Sequence, residues 1–325
     1  MADAGMPSSE KTFRGYSAEQ GQKYARARPG YPVTLYDAVA AYHVGHGGRL
    51  DTLLDVGCGP GTVVGEFGGR FRQAIGIDPS AGMISATREK VQGAAVRFEV
   101  STAEALGADH SPPLVADGSV DVITAATAAH WFDMAGFWTR AAQVLRPGGT
   151  VALWCVGGGP LRLAADVPAG AAIQALIDGF DAQLHDYMVP GNWIVRNSYT
   201  DLVLPWSSSS SSSASVAAVF DETTFIRQPW CTSADPAYGY GPDYAVYPSV
   251  VTAIPLRAFE RIVETGSPIT RWREAHPDLV GTENDIVRQT FIQIERLMQA
   301  AGVKPGCETI SGAYAGVLLL VRKKD

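Results

Sequence analysis

Leu53-Leu54-Asp55-Val56-Gly57-Cys58-Gly59-Pro60-Gly61-Thr62 decides how this chain is read. The run 49–56 is short and apolar, as a buried strand is, and a helical pattern begins at about Thr62. Between them, glycine recurs at every second position. Glycine lets a backbone turn tightly and come close to a ligand that a Cβ would exclude. Dinucleotide-binding turns use G-x-G-x-x-G and seat a pyrophosphate on the helix N-terminus. Here the spacing is G-x-G-x-G, with Asp55 two residues ahead of the first glycine. An acid there is unhelpful beside a diphosphate and suits a ligand with a cationic amino group.

A second acid strengthens this reading. Ile75-Gly76-Ile77-Asp78 ends the next strand pattern, 17 residues beyond Gly61. A carboxylate at that tip can accept both hydroxyls of a ribose; it can also simply cap the following helix. S-adenosylmethionine (SAM) carries both an amino group and a ribose. Met83, one turn into the following helix, either covers the adenine or fills the core. Ser101-Thr102-Ala103-Glu104 follows the third strand, where backbone amides and a polar side chain can read an adenine; Glu104 can equally be a solvated helix-start acid. Ala129-His130-Trp131-Phe132 follows the fourth. His130 is either structural or able to orient an acceptor or take its proton. Trp131 is either core or a wall of the acceptor pocket, in cation–π contact with a sulfonium.

The surrounding rhythm is that of an α/β protein. Strands are expected at 49–56, 73–77, 96–100, 119–125 and 150–156, alternating with helices from Thr62, from Ser80 to Lys90 and from Met134 to Leu145. Such alternation implies right-handed βαβ units and a parallel sheet. Two helices, 17–27 and 33–43, precede it. After Gly157-Gly158-Gly159-Pro160 the rhythm changes. A helix is expected over 164–184 and an irregular aromatic stretch over 186–206. Ser207–Ser213 reads as a disordered solvent loop. A sixth strand is expected at 216–220, a Tyr/Gly/Pro loop at 238–248, helices at 250–264 and 282–300, and a closing strand at 313–321.

At 325 residues the chain can build one main core with a helical addition. Its net charge of −7 shows no basic stripe, which argues against a nucleic-acid partner. Cys58, Cys155, Cys231 and Cys307 are isolated, so no metal site is expected. No secretory signal and no membrane-length apolar run is visible, and the expected location is the cytoplasm.

Leu53–Thr62, Ile75–Ser80, Ala103-Glu104, Ala129–Phe132 and Val144-Leu145-Arg146-Pro147-Gly148-Gly149 together resemble, in order, the class I SAM-dependent methyltransferases. The opening Arg28-Pro29-Gly30-Tyr31-Pro32 and the His-Trp pair narrow the resemblance to the trans-aconitate methyltransferase group and its fungal small-molecule relatives. The resemblance implies a Rossmann-like three-layer sandwich around a seven-stranded, mostly parallel sheet with a helical or irregular cap. It implies an N-terminal helical lid (1–48), a SAM-binding core (49–160), a substrate-cap region with the serine loop (161–310) and a closing strand (311–325). Tyr24 and Arg28 would lie over SAM, Asp55 and Gly57 would hold its amino acid part, Asp78 its ribose, and Ala103 and Glu104 its adenine end. Gly59, Pro79, Met83, Thr102 and Thr127 complete the expected cofactor site. His130 and Trp131 are the catalytic candidates, and Tyr16, Trp193 and Arg196 the substrate-binding ones. The expected function is methyl transfer from SAM to a small molecule, at an oxygen, releasing S-adenosylhomocysteine, by a monomer or homodimer. The rivals are a SAM-binding cyclase, pericyclase or non-catalytic partner, and a nicotinamide oxidoreductase.

Overall fold

The computed structural model describes residues 15–27, 30–157, 159–207, 214–230 and 249–325. Along the chain run α1 (Ala18–Ala27), α2 (Val33–Gly45), β1 (Thr52–Val56), α3 (Thr62–Phe67), β2 (Gln73–Asp78), α4 (Ala81–Lys90), β3 (Val96–Val100), β4 (Val120–Ala126), α5 (Met134–Val144) and β5 (Leu145–Val156). There follow β6 (Arg162–Leu163), α6 (Gly170–Gln183), α7 (Pro190–Arg196), α8 (Ala214–Val219), β7 (Phe220–Trp230) and β8 (Ser249–Pro255). The chain closes with α9 (Leu256–Val263), α10 (Ser267–Ala275), α11 (Ile286–Ala300), β9 (Thr309–Tyr314) and β10 (Gly316–Lys323).

Two compact units result. The first comprises Met1–Cys155, Tyr199–Pro229 and Val317–Asp325. Its sheet has seven strands in the order β3-β2-β1-β4-β5-β10-β7, and the five from β3 to β5 run parallel. This is the expected α/β architecture. All five residues of β1 are buried, as in a central strand covered on both faces, and three of them are the apolar Leu53, Leu54 and Val56. The chain leaves β1 for β2 on one side and returns to β4 on the other. The carboxyl end of β1 is therefore the topological switch point, where open α/β sheets form their binding crevice. The second unit, Val156–Ser198 and Trp230–Gly316, has an antiparallel sheet β6-β9-β8. Its own core is built on Ile173, Ile177, Phe259, Trp272, Phe291 and Ile294.

Local chemistry sets the element ends. Ser80 accepts a hydrogen bond from the Met83 amide and caps α4; Asp133 does the same for α5 through Ala135. Cys58 and Cys155 are buried free thiols.

Several expectations are corrected. Residues 216–219 are helical, and the strand starts only at Phe220. That strand, β7, carries Asp221-Glu222-Thr223-Thr224, which an edge position tolerates because one side has no neighbouring strand among the described residues. The helix read over 250–264 is strand β8 as far as Pro255 and helix α9 after it. The helix read from 164 begins at Gly170, after the short strand β6. Helix α7 lies within the stretch read as irregular. The closing strand is divided between β9 and β10. The serine loop beyond Ser207 and the loop 238–248 lie outside the described residues.

Candidate active site

The turn after β1 is built from left-handed glycines. Gly57, Gly59 and Gly61 have φ of +65°, +48° and +73°, values that L side chains rarely adopt. The three differ in what surrounds them. A Cβ on Gly57 would meet Ala128 Cβ at 2.6 Å, and one on Gly61 would run into Thr87. A Cβ on Gly59 would meet nothing within 4 Å. Packing explains two of the glycines; the third faces open space. The turn is fixed by Cys58 N donating to Ile77 O at 2.9 Å and by Thr87 Oγ1 donating to Gly59 O at 2.7 Å.

Asp55 is 1% exposed. Its Oδ1 accepts from Thr124 Oγ1 at 2.7 Å, while its Oδ2 accepts nothing among the described residues. Burial pushes its pKa up to about 7, against the Thr124 bond, and the nearby Asp78 charge adds to the rise. An unpaired buried acceptor is costly unless something else satisfies it. Asp78 is placed by the parallel register beside Val100 at the tip of β2. Its Oδ2 accepts from Gly59 N at 3.0 Å and its Oδ1 from Ser80 N at 2.8 Å. These bonds orient the Asp78 carboxylate, whose oxygens can each accept more than one hydrogen bond.

Around these acids, Met83 is buried and Pro79 half-buried. Ala103 is buried, and Thr102 Oγ1 accepts from Ala105 N at 3.2 Å. Glu104 is more than a solvated helix-start acid: its Oε1 accepts from Asp133 N at 2.9 Å and ties the loop after β3 to the loop after β4. Thr127 follows β4 with φ +51°, a strained position for a β-branched residue. Its amide donates to Trp154 O at 2.7 Å, and its hydroxyl lies 3.3 Å from the Tyr31 hydroxyl.

His130 and Trp131 form one 3₁₀ turn, with ring centroids 4.4 Å apart. His130 is 8% exposed, and burial pulls its pKa down to about 3, so the ring is neutral at pH 7. Its Nδ1 lies 3.1 Å from the Tyr199 hydroxyl. On α1, Tyr24 makes an edge contact with the half-buried Tyr16 at 6.4 Å. α1 packs on α4 through Gly21, which sits against Gly82, and Gln22 donates to Glu89 at 3.0 Å. Arg28 lies outside the described residues. Trp193 and Arg196 belong to α7 of the second unit, where Arg196 donates twice to Asp181, at 2.7 and 2.6 Å.

Tyr31, Tyr199 and Thr124 were missed. Tyr31 stands inside Arg28–Pro32 and was open to notice; its ring meets Trp154 edge-on at 5.5 Å. Thr124 and Tyr199 each reach a partner 69 residues away, and spacing carries no signal for that. No group of three or more metal-ligating side chains forms among the described residues, and no described helix is long and apolar enough to cross a membrane.

SAM fits what is here. Its ammonium would satisfy the orphaned Oδ2 of Asp55, its ribose hydroxyls would donate to the Asp78 carboxylate, and the open face at Gly59 admits a ligand where a Cβ would intrude. Comparison with known proteins agrees. Residues 54–153 match the family model described as a methyltransferase domain. The chain is 35% identical over 142 residues to the methyltransferase gedG of Aspergillus terreus, covering 43% of this chain and 42% of that one. It is 30% identical over 131 residues to a Saccharomyces cerevisiae protein named a probable S-adenosylmethionine-dependent methyltransferase, CRG1, covering 40% and 43%. The matches thus span less than half the length of those relatives. Among solved structures, a protein of Anaeromyxobacter dehalogenans assigned as a type II methyltransferase superposes with a TM-score of 0.55 at 21% identity, covering 91% of this chain and 97% of that one. The fold is that of the Rossmann-like class I methyltransferases.

Proposed function

We propose that this chain, whose residues 54–153 carry a methyltransferase domain, transfers a methyl group from SAM to an oxygen of a small-molecule acceptor. The observation that carries the reading is the unpaired Oδ2 of a fully buried Asp55 at the switch point of the sheet. A buried carboxylate in want of a donor, beside a turn that faces open space, calls for a cation.

When bound, SAM supplies a sulfonium-activated methyl group. In this reading Asp55 and Gly57 hold its amino acid part and Asp78 its ribose. Thr102, Ala103 and Glu104 take the adenine end, with Pro79 and Met83 beside them. Tyr24 of α1 and Arg28 cover the ligand, Thr127 completes the cofactor site, and His130 and Trp131 face the acceptor with Tyr16. Methyl transfer is an in-line displacement, so the chain's work is positioning and the exclusion of water.

The state of His130 bears on the acceptor. A histidine held near pKa 3 is a weak base. That favours an acceptor already ionised at neutral pH, a carboxylate, over a neutral alcohol that must lose a proton. The test is a panel of small acids and phenols incubated with SAM, read by mass for a +CH₂ product and for S-adenosylhomocysteine. Carboxylate methylation is expected. Methylation confined to neutral alcohols or amines would refute the acceptor class.

A further inference from the structure

Tyr199 is a residue that the spacing of motifs did not point to, yet its hydroxyl lies 3.1 Å from Nδ1 of His130. Both side chains are enclosed, at 2% and 8% exposure, with ring centroids 6.0 Å apart. A buried phenol and a neutral imidazole can share this contact in two ways. Either the phenol donates to a bare Nδ1, or Nδ1–H donates to the phenol oxygen. The surroundings decide. Burial holds the Tyr199 pKa well above its ordinary value, so the phenol keeps its proton. Nδ1 of His130 is its one hydrogen-bond partner among the described residues. Were Nδ1 protonated as well, the phenol proton would be left with no hydrogen-bond acceptor among the described residues, a buried unsatisfied donor.

We infer that Tyr199 is a positioning residue: its O–H donates to Nδ1, which places the single imidazole proton of His130 on Nε2. Nε2 makes no hydrogen bond to any described residue, and it is not among the fully enclosed unsatisfied atoms. It therefore remains able to donate outward. His130 then meets the acceptor as a neutral hydrogen-bond donor, which aligns an oxygen lone pair and removes no proton. The chemical class such a donor recognises is an acceptor that arrives ionised, a carboxylate or another oxyanion. This rests on the methyltransferase reading for its purpose, but not for the tautomer itself.

The tautomer is read by long-range ¹H–¹⁵N correlation on ¹⁵N-histidine-labelled full-length protein at neutral pH, without cofactor or acceptor. His130→Gln identifies the resonance by its disappearance. The expected spectrum has Nε2 protonated and Nδ1 bare, and in Tyr199→Phe, which keeps the ring and removes only the hydroxyl, a shift toward the Nδ1–H form. A wild-type Nδ1–H tautomer, or a spectrum unchanged in Tyr199→Phe, overturns the inference. The wild-type spectrum alone decides the matter should that variant misfold. A kinetic arm follows where turnover is measured. His130→Gln keeps an N–H donor at the Nε2 position and should exceed His130→Asn, which keeps one only at the Nδ1 position, by about tenfold in kcat. Equal losses in the two would contradict outward donation. Because the spectrum needs neither SAM nor acceptor, its failure is separable from failure of the functional reading.

Discussion

Thr124 donates its hydroxyl to one oxygen of Asp55, at 2.7 Å, and leaves the other oxygen of the same buried carboxylate with no described partner. The pair joins β1 to β4 at the switch point of the sheet. It holds Asp55 in one orientation and keeps half of its accepting capacity in reserve. Without a cation, the arrangement is unfavourable: burial has lifted the carboxyl to about 7.

Asp55→Asn should therefore have opposite effects on stability and on binding. A folded-state pKa raised above 3.8 means that the folded protein binds more protons than the unfolded chain between about 4 and 7. Stability contributed by this group is full below that window and is lost as the pH rises through it. At pH 8 the neutral Asn should stabilise the ligand-free protein by about 1–3 kcal/mol, read by denaturant unfolding, while SAM affinity falls. A less stable Asn variant at pH 8 would speak against an uncompensated buried charge. In the wild type, SAM affinity should weaken as the pH falls below about 7, because the ligand's ammonium requires the ionised carboxylate.

Two of the turn's glycines, Gly57 and Gly59, should separate under the same substitution. Gly57→Ala forces a contact with Ala128 as well as a strained φ and should cost more than 2 kcal/mol, about that of a core clash. Gly59→Ala meets nothing and should cost about 1 kcal/mol for backbone strain alone. Yet its methyl group would stand in the ligand's space. Calorimetry should find Gly59→Ala folded and without measurable SAM binding. Wild-type affinity in Gly59→Ala would place the ligand elsewhere.

Thr127→Gly releases a β-branched residue from φ +51° and removes the hydroxyl near Tyr31. The relief of strain and the greater chain entropy of glycine should offset each other to within about 1 kcal/mol. Turnover should fall all the same, because strain of this kind persists where the surroundings need the side chain. A variant with unchanged stability and unchanged kcat would strip Thr127 of a role in the site.

How much of this was legible beforehand follows from the range of the contacts. The alternate glycines after β1, the Asp78–Ser80 contact and the Ser80 cap act within a few residues of their own positions, so their spacing exposes them. Tyr199 works on a residue 69 positions away, from a stretch with no periodic pattern. β7 was concealed by its acids and threonines, which an edge strand can display to solvent. β8 was concealed because Val250, Val251 and Ile254 recur at helical as well as extended spacing, and only Pro255 marks the change. Arg196, a substrate-binding candidate, is bonded to Asp181, a pairing its sequence neighbours do not announce.

The central claim is that the acids at the tips of β1 and β2 hold SAM, and titration calorimetry of the full chain with SAM and with NADH tests it most directly. The wild type should bind SAM and not NADH, and Asp78→Ala, folded by circular dichroism, should show no heat of SAM binding. SAM affinity unchanged in Asp78→Ala, or NADH bound in place of SAM, would contradict the account.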